Sequence, residues 1–221
     1  MPLDALIARI DALAGSSHRV IIGIAGSPGS GKTTLTTSLV ERLGERAAHL
    51  PMDGFHLANR TLERLGRRER KGAIDTFDGH GFVALLERVR TETEHSVYAP
   101  SFRREVDEPV AGEIAIEPAA RIVIVEGNYL LVEQDPWVRV RNLLDEAWFC
   151  ETPGNVRERR LIERHTAGGR TVEAATEFAR NVDGANAELI ERTAHRADLR
   201  VSGITGESRE KSVGGRETVR E

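Results

Sequence analysis

The run Gly26-Ser27-Pro28-Gly29-Ser30-Gly31-Lys32-Thr33 does most to limit what this chain can fold into. It follows a continuous apolar segment, Val20–Ala25, and precedes Thr33–Leu43, whose apolar spacing is helical and which Gly44 closes. Strand, glycine-rich turn and helix are the context in which G-x-x-x-x-G-K-[ST] works as a phosphate cradle. Glycines let backbone N–H groups converge on phosphate oxygens with no Cβ in the way, and the helix start adds partial positive charge. Lys32 is expected to reach the β- and γ-phosphates, and the Thr33 hydroxyl to ligate Mg²⁺. At this chain's residue frequencies, such a match arises by chance with a probability of roughly 0.003. Lysine is scarce besides, with Lys32, Lys71 and Lys211 the only ones. A nucleoside-triphosphate site is therefore expected, contacted by Gly26 through Thr33 and by Thr34.

The rest of the chain alternates in the same way. Leu3, Leu6, Ile7, Ile10 and Leu13 have the three-and-four spacing of an amphipathic helix that ends near Gly15. Ala47–Met52 reads as a short strand running into Asp53. A polar, basic stretch over 57–80 opens with a short helical pattern at Leu57–Leu65. Phe82, Leu85, Leu86 and Val89 give another amphipathic helix, and Ser96–Arg104 with Val110–Ile116 look like an inserted hairpin. Arg121–Val125 is the next buried strand and ends at Glu126-Gly127. Asp145–Cys150 and Asp198–Val201 are further strands. Asn155–Thr166 and Val172–Thr193 are helical on either side of Gly168-Gly169, and Trp137 and Trp148 fall in the apolar pattern of a core. This order predicts an α/β fold in three layers, a mainly parallel sheet with helices on both faces and a small lid. Residues 203–221 carry little apolar content and are expected to form a disordered tail.

Composition removes several alternatives. At 221 residues, one domain with a small insertion is the natural division. The 31 basic residues against 35 acidic ones leave a formal charge of −4, which gives no support to a nucleic-acid binder. Cys150 is the only cysteine, so a disulfide within the chain is impossible and a cysteine-based zinc site has no basis. Apolar runs of about five to seven residues fall far short of the ~20 that cross a bilayer. Met1–Ile10 carries Asp4 and lacks the apolar stretch of a signal peptide. A cytoplasmic protein with a small-molecule partner is expected, with neither nucleic acid nor membrane as partner and room for a homodimer.

In an open α/β sheet, ligands bind beyond the carboxyl ends of the strands, and two acids sit at such ends. Asp53 follows His49-Leu50-Pro51-Met52, and Glu126 follows Ile122-Val123-Ile124-Val125. One acid could hold Mg²⁺, directly or through water, while the other accepts the proton of an attacking hydroxyl. Either acid taken alone could equally cap a strand or a helix.

The strings GSPGSGKTT, MDGFH, FD at 77–78, VYAPSFRR at 97–104, VEGNYLL at 125–131 and RLIERH…GGR together resemble one P-loop kinase family. It is the group of uridine kinase, phosphoribulokinase and bacterial pantothenate kinase. The likeness is strongest to its uncharacterised nucleoside/nucleotide kinase-like branch, labelled "putative fructose-transport-system kinase". It spans about Val20 to Val201, which makes 1–18 an N-terminal helix, 19–202 the kinase domain and about 164–172 the lid. The resemblance implies that Asp53 is the catalytic base, that Glu126 is the Mg²⁺-associated carboxylate, and that Lys32, Thr33 and the loop amides hold ATP·Mg²⁺. Arg164 and Arg170 fall where the family's lid carries phosphate-clamping arginines; a solvated helix face is the plain alternative.

The resemblance also places His56, Arg60, Lys71, Asp78, Tyr98, Arg103 and Asn128 in the segments that form the acceptor pocket. The basic run Leu65–Lys71 could meet an anionic acceptor, though solvated surface charge is the commoner role of such a run. Asp78 and Tyr98 could hydrogen-bond acceptor hydroxyls, with packing an equal alternative for Tyr98. His56 could line the site or be satisfied inside the fold. The short Thr166–Thr171 segment and the Val97–Val110 insertion match none of the better-known relatives, so the acceptor is defined only as a small hydroxylated metabolite (a nucleoside, sugar or pantothenate-like compound). The expected activity is transfer of the γ-phosphoryl group of ATP to a hydroxyl. The alternative is a P-loop ATPase that acts as a nucleotide-dependent regulator.

Overall fold

The computed structural model describes residues 2–15 and 19–210. Its first half holds α1 (Pro2–Ala14), β1 (Val20–Ala25), α2 (Lys32–Leu43), β2 (Ala47–Pro51), α3 (Asn59–Arg64), α4 (Gly79–Thr91), β3 (Val97–Arg103) and β4 (Glu108–Ile116). The second half adds β5 (Ile122–Gly127), β6 (Glu146–Glu151), α5 (Gly154–Ala167), α6 (Val172–Phe178), α7 (Gly184–Glu191), β7 (Leu199–Ser202) and β8 (Ser208–Glu210).

Six strands form one sheet in the order β2-β5-β1-β6-β7-β8, parallel throughout except for β8. The unbroken apolar runs of β1 and β5 now have a physical reason, because each strand feeds two cores by alternation. Val20, Ile22, Ile24, Ile122 and Ile124 pack with Leu6, Ile10, Leu35 and Leu39 of α1 and α2 on one face. Ile21, Val123 and Val125 pack with Phe82, Leu86 and Val89 of α4 on the other. Trp148 belongs to the first core and Trp137 to the second, as the apolar pattern predicts. No helix among the described residues is long and apolar enough to cross a membrane.

Strands β3 and β4 form a separate antiparallel ribbon, the inserted hairpin. It packs on the turn that follows β2, where Gly54 lies under Pro100 so closely that a Cβ would collide with the proline carbonyl.

Two expectations need correction. The helix expected over Val172–Thr193 is interrupted between α6 and α7 by a π-helical turn, Ala179–Asp183. Its wider winding brings Asp183, 7% exposed, against His165 at the end of α5, with Nε2 2.7 Å from Oδ2. The tail expected from residue 203 onward instead turns back at once, and Ser208–Glu210 pairs with β7. Ion pairs hold this polar strand in place of apolar burial, Arg209 to Glu151 at 2.6 Å and Arg9 to Glu210 at 2.9 Å. The remainder of the expected tail, 211–221, lies outside the described residues.

Candidate active site

The parallel register sets the carboxyl ends of β1, β2, β5 and β6 side by side, with Pro51 opposite Glu126 and Ala25 opposite Gly127. The phosphate-binding loop leaves β1 here and enters α2, whose N-cap, Gly31, supplies no side chain to the first helical amides. Those N–H groups and the helix dipole are thus free for an anion. Gly29 at φ 76° and Gly31 at φ 98° adopt the left-handed backbone that the cradle requires.

The loop's carbonyls are engaged from outside. Arg160 Nη1 donates to Gly29 O at 3.1 Å, Thr152 Oγ1 to Ser30 O at 2.8 Å, and Lys32 Nζ to Ser27 O at 3.3 Å. The Ser27 hydroxyl donates to Glu191 at 2.5 Å. With its acceptors turned outward and occupied, the loop presents donors to its interior. A cavity of about 900 Å³ adjoins it, lined in part by Thr152, Pro153 and Glu191.

Lys32 is 7% exposed, and its ammonium donates to Asn128 Oδ1 at 2.8 Å. Burial pulls its pKa down, while the charges of Glu126 and Asp53 work against that shift. The Thr33 hydroxyl donates to Glu126 Oε1 at 3.1 Å, and His49 Nε2 stands 3.7 Å from the same oxygen. Burial raises the Glu126 carboxyl, but His49, Lys32 and Thr33 outweigh it and keep the group below the ordinary carboxylate range. One hydroxyl and one carboxylate suit a cation that keeps water and takes phosphate oxygens, which is the habit of Mg²⁺. No cluster of three or more His, Cys, Asp or Glu that could cage a metal occurs among the described residues.

Asp53 sits in the 3₁₀ turn Met52–Phe55 directly after β2. Its charge is felt at Lys32, at His56 and at Arg164. His56 is tied to it: Nδ1 lies 2.8 Å from Asp53 O, and the ring packs against Phe77 at 4.0 Å and Phe102 at 4.7 Å. A carbonyl acceptor fixes the proton on Nδ1. Arg164, on α5, is solvent-accessible and lies in the field of Asp53, Glu126 and Asp183.

Of the residues expected in the site, Lys32, Thr33, Asp53, Glu126 and Asn128 converge, with His56 and Arg164 beside them. The others are held elsewhere. Lys71 Nζ donates to Asn59 Oδ1 at 2.7 Å, pairs with Asp107 at 3.2 Å and lies over the Phe102 ring. Asp78 caps α4 by accepting from Gly81 N at 2.8 Å. Arg103 pairs with Glu113, and Tyr98 is 62% exposed. Arg170 lies over the Phe178 ring at 4.3 Å, and Arg60 and Thr34 are exposed. Asn186 approaches Gly72 rather than the base: its amide donates to Gly72 O at 3.3 Å, beside the Tyr129 hydroxyl at 2.6 Å.

Sequence reasoning missed His49, Thr152, Arg160 and Glu191. Two of these had a signal. His49 is the polar residue inside a short apolar strand, and Arg160 precedes Arg164 by four, the spacing of one helix face.

Residues 21–207 match the model of the phosphoribulokinase / uridine kinase family. The chain is 35% identical over 207 residues to a protein of Schizosaccharomyces pombe named "putative uridine kinase", covering 89% of this chain and 88% of that one. It is 32% identical over 185 residues to a uridine kinase of Borrelia hermsii, covering 81% and 84%. A solved structure from Silicibacter sp. TM1040, described as a "putative fructose transport system kinase", superposes with a TM-score of 0.79 at 36% identity, covering 87% of this chain and 95% of that one. With a parallel sheet, a glycine cradle and two acids at adjoining strand ends, this chain belongs to the phosphoribulokinase / uridine kinase family of P-loop kinases.

Proposed function

We propose that the protein transfers the γ-phosphoryl group of ATP to a hydroxyl of a small metabolite, with Mg²⁺ as the metal. The observation that carries this is the convergence of Lys32, Thr33 and Glu126 with Asp53 at the carboxyl ends of β1, β2 and β5. The loop amides and the α2 N-terminus bind the phosphates, and Lys32, released from Asn128, follows the β- and γ-oxygens. Thr33 and Glu126 would hold Mg²⁺, which when bound neutralises charge on those oxygens.

Asp53 orients the acceptor hydroxyl and takes its proton as the oxygen attacks the γ-phosphorus. The bond from that phosphorus to the bridging oxygen breaks, and ADP leaves. Arg164 adds positive charge beside the moving group.

The test is coupled ADP production against a library of nucleosides, sugars and vitamin precursors. Acceptor-dependent ADP release that Lys32→Ala abolishes is the expected result. Hydrolysis indifferent to every acceptor would overturn it in favour of a nucleotide-dependent ATPase.

A further inference from the structure

The acceptor's charge is legible in which basic side chains the protein itself neutralises. The run Arg67–Lys71 looks like an anion site in sequence, yet its charges are answered internally. Arg67 and Arg70 pair with Asp75, and Arg68 and Lys71 with Asp107. What this loop does is staple the hairpin tip, since Asp107 lies in the turn between β3 and β4.

The stapled hairpin lays one face of β3 on the catalytic segment. Pro100 covers Gly54, and the Phe102 ring meets His56, whose Nδ1 holds the Asp53 carbonyl. Arg104 follows two residues after Phe102, the interval that returns a side chain to the same face of an extended strand. Its neighbour Arg103 is taken by Glu113, but the Arg104 guanidinium has neither hydrogen bond nor ion pair to any described residue. Arg164 approaches from α5, equally without such a partner. Desolvation and, next to it, the charge of Arg104 pull the Arg164 guanidinium down, against the opposing charges of Asp183, Asp53 and Glu126. Two like charges brought together beside a reaction centre, with no protein carboxylate bonded to either, are the makings of a site for an anion.

We propose that Arg104 and Arg164 grip a phosphate or carboxylate carried by the acceptor, so that the substrate is an anionic hydroxylated metabolite rather than a neutral nucleoside or sugar. This rests on the kinase function proposed above.

The experiment uses the full chain saturated with Mg²⁺ and a non-hydrolysable ATP analogue, so that the phosphate-binding loop is occupied. Ribose, ribonate and ribose 5-phosphate are then titrated by calorimetry. The expected result is that one of the two anionic compounds binds at least about tenfold more tightly than ribose. Which of the two does so separates carboxylate from phosphate. In R104Q that margin should fall below about twofold, with the melting temperature and the affinity for the ATP analogue unchanged. Equal affinity for all three compounds overturns the proposal, as does an R104Q protein that keeps the margin. An R104Q protein that loses the ATP analogue instead would assign the arginine to the nucleotide and overturn it too. Because these titrations need no turnover, failure of the kinase function shows separately, as ADP release that no acceptor accelerates.

Discussion

The Lys32 ammonium donates to Asn128 Oδ1 across 2.8 Å, a bond between the start of α2 and the residue just past β5. Without a nucleotide, the buried lysine is thus held by an amide and by the Ser27 carbonyl. Asn128→Leu removes the better partner and leaves a buried cation undersatisfied. The expected loss of stability is about 1–3 kcal/mol. An ATP analogue with Mg²⁺ should restore much of it by offering phosphate oxygens to Lys32. Denaturant unfolding with and without the analogue checks this, and identical midpoints for variant and parent in both conditions would refute it.

Asp53→Asn keeps the shape of the turn after β2 but cannot accept a proton. Transfer should fall by about 10²–10⁴, while binding of a fluorescent ATP analogue stays within a few-fold of the parent. Parent-like transfer would remove Asp53 as the base. A comparable loss of nucleotide affinity would instead show that its charge serves mainly to balance Lys32.

His56 gives a pH dependence. Burial pulls its imidazole below the ordinary value, against the pull of Asp53 in the other direction. Because the unfolded chain then takes up the proton more readily than the folded one, stability is fully present above about pH 6.5. It is lost as the pH falls from there toward the depressed folded midpoint. His56→Gln should flatten that part of the stability profile, measured by urea unfolding between pH 5 and 7.5. An unchanged slope would show that His56 titrates as it does in water.

The contrast between Asp53 and Asp78 shows how far the sequence could be read. Asp53, Glu126 and the phosphate-binding loop were legible because each sits where an apolar run stops, and the carboxyl end of a parallel strand is a position that the fold itself turns toward the ligand. Asp78 and Lys71 carry residue types equally suited to a substrate. Their fate was decided by partners distant in sequence or by backbone amides: Gly81 N for the first, Asp107 for the second. Charge alone does not say whether the protein or a ligand will answer it. The π-helical turn was hidden for a similar reason. Apolar spacing through Val172–Thr193 stays helical, and the extra residue is accommodated by the tertiary pair of His165 with Asp183.

Arg19 is a structural arginine with a measurable role. It is 1% exposed, and its guanidinium donates to the carbonyls of Ala120, Val89, Glu92 and Glu117, joining the end of α4 to the turn before β5. Arg19→Met keeps the apolar stem and abandons four carbonyls. The cost should be about 3–5 kcal/mol, read by denaturant unfolding, with ATP-analogue affinity unchanged at low temperature. A loss under about 1 kcal/mol would mean that water replaces the guanidinium.

Gly54→Ala tests whether the hairpin is part of the catalytic apparatus or only attached to it. The added methyl would collide with the Pro100 carbonyl, a backbone atom that cannot rotate away. Either β3 lifts off the Asp53 turn, or the turn shifts under it. Both movements disturb the base and the face of β3 that carries Phe102 and Arg104, yet neither touches the phosphate-binding loop. The expected signature is a fall in kcat/KM for the acceptor of about 10²-fold, the scale of a 1 Å misplacement, with KM for ATP nearly unchanged. Loss of ATP affinity in the same proportion would place the damage in the fold as a whole. A variant with parent-like acceptor kinetics would show that the ribbon can slide without moving Asp53.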